Sequence, residues 1–375
     1  MKCRSKRTEF ILLLLALLFG PSTCGLFGEP EKVTEAWSGP GARDEQIVPI
    51  RPEDDGVHPM DDDNYVEHWY FDARLDNGYL VVGFLWASEM MTHQPGMELH
   101  IYRPSGEKVD VIKSYSESDL RVSEEKCDVW VGENRAYAVY PEEGGLPVYH
   151  LFLSEGGLEA DLQFHSEVQG WKPGGGKTDY GDQGFFAWVV AVPRARVEGK
   201  IRIGEETIPA KGIGYHDHNW ETADLKKVIT HWYWGRVYAE DFTLLYAYVK
   251  TNRRFGEVAS KPLMLAYKDR IVYSTGEMVL DDGDWTFNPA ANRDYPGFLK
   301  IDVPDKLSLR LEVKDVIDAH DFLEDMNPVL KWIVNTFIGY PGWFRFRSDF
   351  TLKAEIDGVP YERKGQTLHE MVALR

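Results

Sequence analysis

From residue 67 onward, apolar and polar positions alternate in short runs divided by turn residues. The run 67–75 is followed by Asp76, Asn77 and Gly78 and then by the apolar run 79–86. Asn-Gly between two such runs predicts a tight hairpin, because both turn residues accept a positive φ. The texture continues through 97–102, a turn at 104–106, and runs at 108–115, 129–131, 135–140, 148–154 and 157–167. After a break it resumes at 185–192 and 195–203. A second series follows at 231–238, 242–249, 262–268, 270–273, 298–303, 307–316 and 344–356. Strands at roughly ten-residue spacing with no helices between them predict an all-β sandwich or barrel. One helix is predicted at 328–338, where Asn327 can cap, Pro328 suits the first position and Gly339 suits the end. Val329, Leu330, Ile333, Val334 and Phe337 give that helix an apolar face.

The length, 375 residues, accommodates two domains, and the strand texture divides them at 65–205 and 206–375. An aromatic share of 13% is high, and suits both pleated surfaces and an apolar ligand cavity. Lys2, Arg4, Lys6 and Arg7 precede an apolar stretch at 10–20, too short to span a bilayer comfortably. Residues 1–24 are therefore expected to be a signal peptide, with export to the periplasm, cell surface or medium. Cys24 stands where a bacterial lipoprotein would carry its lipid, which would tether the chain to a membrane. Residues 25–64, rich in Gly, Pro and acids, are expected to form a flexible N-terminal arm. Within it, Asp61, Asp62 and Asp63 are expected to be a solvated acidic turn rather than a calcium site.

With only Cys3, Cys24 and Cys127, no internal disulfide framework is available and packing must supply the stability. The formal charge of −19 argues against nucleic acid and against electrostatic binding of anionic membranes. The glycine-rich stretch 171–179 lacks the spacing of a phosphate loop, and no Gly-x-Ser-x-Gly nucleophile elbow occurs. No cofactor is expected.

The chemistry concentrates at 212–220, which holds Gly212, Gly214, Tyr215, His216, Asp217, His218, Asn219 and Trp220. If this segment is extended, Tyr215, Asp217 and Asn219 share one face and His216, His218 and Trp220 the other. So many polar groups are costly to bury unless paired. Gly212 and Gly214 would let a backbone or ligand approach closely. A second aromatic cluster places Trp232, Trp234, Arg236 and Tyr238 on one face, and a third puts Glu67, Trp69 and Phe71 together. Three readings compete. Asp217, its acidity weakened in an apolar site, could protonate a carbon–carbon double bond while Trp and Tyr faces stabilise the cation. His216, His218 and His231 could hold a metal, but no further ligand follows at a recognisable spacing, and no metal is expected. Or Asp217, Asn219 and Arg236 could form a buried polar network joining the halves.

The run beginning at Glu67, the segment 193–198, the segment 212–220 and the run 232–236 stand in the order seen in the carotenoid 1,2-hydratase and AttH-like superfamily. The chain resembles that superfamily over nearly all of its length after the first 64 residues. The resemblance implies two consecutive lipocalin-like β-barrel or sandwich domains. It also implies a hydrophobic small-molecule ligand, isoprenoid or otherwise lipid-like, and for some members hydration of an isolated double bond. By the same resemblance Tyr215 and Asp217 carry the catalysis, and Trp188 matches the Trp of a His-x-Trp pair. Phe186 stands where that pair has His, and Glu221 replaces the last Gly of the signature. The expectation is an exported protein that binds such a ligand with Trp188, Trp232, Trp234, Asn219, Arg236 and Trp69. It would hydrate or isomerise the ligand through Asp217 and Tyr215. The alternative is a carrier in which the same residues only shape a cavity.

Overall fold

The computed structural model describes residues 30–38, 47–88, 93–323 and 340–375. The expected signal peptide, Cys24 and the expected helix at 328–338 lie outside the described residues. Within them the chain is nearly all β, as the alternation predicts, and α-helix is confined to one turn, Leu225–Val228.

The first sheet begins with β1 (Val66–Leu75), β2 (Leu80–Ser88), β3 (Gly96–Tyr102) and β4 (Lys108–Ser114). It continues with β5 (Leu120–Val122), β6 (Asp128–Val131), β7 (Asn134–Val139), β8 (Val148–Glu155) and β9 (Leu158–Ser166). β10 (Lys177–Asp179), β11 (Phe185–Ile203) and β12 (Glu206–Glu221) complete it. Its antiparallel order is β4-β3-β2-β1-β12-β11-β9-β8-β7-β6-β5, with β10 beside β11. The hairpin predicted at Asn77 and Gly78 joins β1 to β2, and Gly78 takes a φ of 88°.

The second sheet holds β13 (Ile229–Ala239), β14 (Phe242–Thr251), β15 (Ala259–Ser260), β16 (Leu263–Tyr267), β17 (Arg270–Thr275) and β18 (Val279–Gly283). After the small hairpin β19 (Thr286–Asn288) and β20 (Arg293–Tyr295) come β21 (Phe298–Val303), β22 (Leu307–Asp321), β23 (Gly342–Ile356) and β24 (Val359–Ala373). The order is β17-β16-β14-β13-β24-β23-β22-β21-β18, with β15 beside β14. Each sheet curls around its own core. One core is centred on Phe71, Leu99, Leu151 and Phe164, the other on Phe242, Leu309, Phe344 and Phe346.

The division expected at 205/206 falls inside the first sheet. β12 hydrogen-bonds to β11 from Ile203↔Glu206 to Phe186↔Glu221 and to β1 along its other edge, so the change of sheet comes after Glu221. Within the arm, Trp37 is buried in an apolar layer with Trp171, Trp188, Tyr215, Leu245 and Met264, while residues 59–64 are exposed. Thr34 bridges to Asp179, and Asp55 is fully buried. A Trp placed between two curled sheets removes enough apolar surface to hold the segment that carries it. That layer joins residues of β11 and β12 to residues of β14, β16 and β17, and it positions the site.

Candidate active site between the two sheets

β12 is the spine of the site. Antiparallel pairing puts directly opposed residues on the same face of a sheet. Tyr70 opposes Asp217, Asp72 opposes Tyr215 and His68 opposes Asn219. These residues therefore share the face of β12 that looks toward the second sheet. The opposite face carries His216, His218 and their partners Phe71 and Trp69. The alternation expected for 212–220 is the one observed.

The two glycines serve packing. A Cβ on Gly212 would collide with the Arg74 carbonyl oxygen, and one on Gly214 would lie 2.5 Å from the Phe164 ring. Their close neighbours are β1 and the first core, not a ligand.

Between the sheets lies a cavity of about 390 Å³ with mainly apolar walls. Trp188, Trp232 and Trp234 line it, together with Asp217 and Asn219. Asp217 is held on three sides. Tyr215 Oη donates to its Oδ2 at 2.8 Å, Trp188 Nε1 to the same oxygen at 3.0 Å, and Asn219 Nδ2 to Oδ1 at 3.0 Å. Burial raises the Asp217 carboxyl from 3.8 to about 6, and the hydrogen bonds from Tyr215 and Trp188 limit the rise. Tyr215, fully buried, is pushed well above the ordinary phenol range by burial and then by the Asp217 charge, so it remains a neutral donor.

Arg236 is not in the cavity wall. It pairs with Asp72, which also accepts from Tyr70 Oη at 2.7 Å, and its guanidinium sits 4.6 Å from the Tyr215 ring centroid. Arg236 thus backs Tyr215 by cation–π contact instead of meeting a ligand. Trp69, expected among the ligand-binding residues, is on the wrong face. It is fully buried, stacked 4.4 Å from His218, and donates from Nε1 to the Asp55 carbonyl at 3.1 Å. Its place in the cavity wall is taken by its neighbours His68 and Tyr70.

Four further residues of the region were not singled out as site residues. Phe186, Glu221 and Glu370 line the cavity, and Asp55 anchors a buried polar chain behind β12. In that chain Tyr149 Oη donates to Asp55 Oδ2 at 2.8 Å, and His216 Nε2 lies 3.2 Å from the same oxygen. His218 Nε2 lies 2.8 Å from Glu67 Oε1. Burial works against charge on Glu67, but hydrogen bonds from His218 and His58 hold it down to about 2. The histidines separate from His231. The close donor groups among the described residues are Asp55–Cys127–His216 and His58–Glu67–His218. Each contains a hydrogen-bonded pair, His216 with Asp55 and His218 with Glu67, while Asp55 Oδ1 and His218 Nδ1 are buried without a hydrogen-bond partner among the described residues. The one signal for Asp55 in the sequence is its place in an acidic stretch, which says nothing of burial.

Comparison with known proteins adds the family context. Residues 146–311 match the model of a family described as Diels-Alderase-like. Over 253 residues the chain is 25% identical to hydroxyneurosporene dehydrogenase of Chlorobaculum tepidum, a span of 56% of this chain and 63% of that protein. The chain therefore covers less than two thirds of that relative. Among solved structures, an AttH protein of Nitrosomonas europaea superposes with a TM-score of 0.57 at 15% identity, covering 87% of this chain and 98% of that one. Kievitone hydratase of Nectria haematococca gives 0.53 at 13% identity, covering 92% and 98%.

These likenesses show a shared fold with the AttH and kievitone hydratase structures, and a Diels-Alderase-like match over residues 146–311. The AttH-like fold places the two curled sheets side by side, and the cavity that Asp217 faces lies where they meet.

Proposed function

We propose that this protein binds an elongated, mainly apolar small molecule between its sheets and protonates an isolated carbon–carbon double bond from Asp217. The observation that carries this reading is a carboxyl at the wall of an apolar cavity, protonatable near neutrality and ringed by aromatic faces. Asp217 Oδ2 is occupied by the Tyr215 and Trp188 donors, so Oδ1 is the oxygen left to carry the proton. Asn219 can turn its amide to accept from that O–H until a ligand displaces it. In the proposed step the Oδ1–H bond breaks and a C–H bond forms at the less substituted alkene carbon. The other carbon becomes a cation, stabilised by the faces of Trp188, Trp232 and Trp234. Water then adds and returns a proton to Asp217, giving an alcohol. Transfer of a neighbouring C–H proton back to the Asp217 carboxylate instead gives an isomerised alkene.

The name of kievitone hydratase supports this class of reaction, whereas hydroxyneurosporene dehydrogenase is named for a different reaction. The basic and apolar N-terminal stretch supports export, with Cys24 as the residue that would be lipidated. The mass of the mature protein tests that part: a chain starting at Cys24 with added acyl mass supports it, and an intact residue 1 overturns it.

A carrier role is the second reading. The observation favouring it is that Asp217 is already satisfied by three donors, as a purely structural carboxylate would be. Incubation with farnesol in D2O separates the two. Deuterium incorporation by wild type, lost in Asp217→Asn with binding retained, supports catalysis. Binding without incorporation in either supports the carrier.

A further inference from the structure

Besides Asp217, and Glu370 which pairs with Arg345, the cavity contains a carboxyl that the reaction does not use. Glu221 ends β12 on the same face as Asp217 and Asn219, four residues and roughly 13 Å along the strand from Asp217. It is 9% exposed, lines the cavity, and has no hydrogen-bond or ion-pair partner among the described residues. Phe186 is its cross-strand partner on β11, and the cavity lining also includes the apolar Leu225, Ile229 and Val249 and the polar Thr178 and Tyr180. A carboxyl buried among apolar groups with no partner costs free energy, and that cost is recovered when a ligand supplies the missing hydrogen bonds.

Resting on the reading of the cavity as a ligand site, we infer that Glu221 is the anchor for a neutral polar head group, a hydroxyl or amide, on the far end of the ligand from the double bond that Asp217 addresses. The ligand is then an amphiphile with one polar end, not a pure hydrocarbon. A neutral head group is the matching chemistry because burial, and next the Asp224 charge, raise the Glu221 carboxyl to about 8 and keep it uncharged at neutral pH. Protonated, it offers one donor and one acceptor, the set that a hydroxyl or amide complements. No cation pairs with it among the described residues, and Thr178 and Tyr180, which also line the cavity, are neutral donors and acceptors. Phe186 and Glu221, the two departures from the superfamily pattern, face each other across β11 and β12, so the polar position at this end of the cavity lies on β12 in this chain.

The test is binding of two probes of equal carbon skeleton, farnesol and farnesene, to the full chain, read by quenching of tryptophan fluorescence. Wild type and Glu221→Gln should bind farnesol about tenfold more tightly than Glu221→Leu does, since one neutral hydrogen-bonded pair is at stake. Glu221→Leu should bind farnesene at least as well as wild type, which also shows that the variant is folded. Farnesol affinity in Glu221→Leu within twofold of wild type, with farnesene binding intact, overturns this inference alone. Failure of wild type to bind either probe removes the ligand-cavity reading and this inference with it.

Discussion

Replacing Asp217 by Asn should make the protein more stable at neutral pH, and the gain should vanish in acid. The carboxyl has its ordinary value of 3.8 in the unfolded chain and about 6 in the fold, where burial is the dominant cause. The folded state therefore holds the proton more tightly than the unfolded state. The stability this contributes is fully present below pH 4 and is lost as pH rises through 6. A difference of about 2 pH units corresponds to about 3 kcal/mol. Asn keeps an oxygen for the Tyr215 and Trp188 donors and never ionises, so the variant escapes this loss. The loss of a specific proton does not disturb the other titrating groups, Glu221 included, which are common to both proteins and cancel in the difference. The assay is urea denaturation of wild type and Asp217→Asn at half-unit steps between pH 4 and 8. Stability of the variant minus that of wild type should grow by about 3 kcal/mol, with its midpoint between pH 4 and 6. A difference that stays flat across the range, or grows toward acid, refutes the reading of Asp217 as a desolvated carboxyl.

Other substitutions separate wall from scaffold. Trp234→Ala should weaken farnesol binding several-fold, whereas Trp69→Phe should leave affinity unchanged and cost about 1–3 kcal/mol of stability through its lost packing and indole hydrogen bond. Asp72→Ala leaves the buried Arg236 guanidinium without its carboxylate, and should cost about 3–5 kcal/mol in urea denaturation. Gly214→Ala should destabilise by about 1–3 kcal/mol, because the new methyl meets Phe164 and Val197 side chains at 2.5 Å. Cys127, fully buried with its thiol pushed well up by burial, should resist a thiol reagent in native buffer and react at once in denaturant.

Particular residues show where the sequence was legible. The period of two along a strand is a local property, so the sequence alone separates Tyr215, Asp217 and Asn219 from His216 and His218. The same period placed Trp69 with Glu67 and Phe71 but could not tell which side of β1 meets the cavity. That depends on the register Trp69↔His218, set by residues about 150 positions apart in the chain. The edge between the two halves was displaced for a related reason. The 203–206 turn reads as a boundary, yet the long β11–β12 hairpin it closes carries Asp217 back against the first sheet. Asp55 was invisible because its partners His216 and Tyr149 lie 161 and 94 positions away in sequence, and an acid in an acidic stretch reads as solvated. Glu221 was visible only as a departure from a signature. Its meaning came from the cavity.

The account rests on the cavity between the sheets being the place where the ligand lies, and photolabelling tests this most directly. A farnesol analogue carrying a diazirine, irradiated with the wild-type protein and mapped by peptide mass spectrometry, should label Phe186, Trp188, Trp232 or Trp234, and excess farnesol should suppress the labelling. Labelling confined to other surfaces, such as the groove between Pro304 and Glu362, would contradict it.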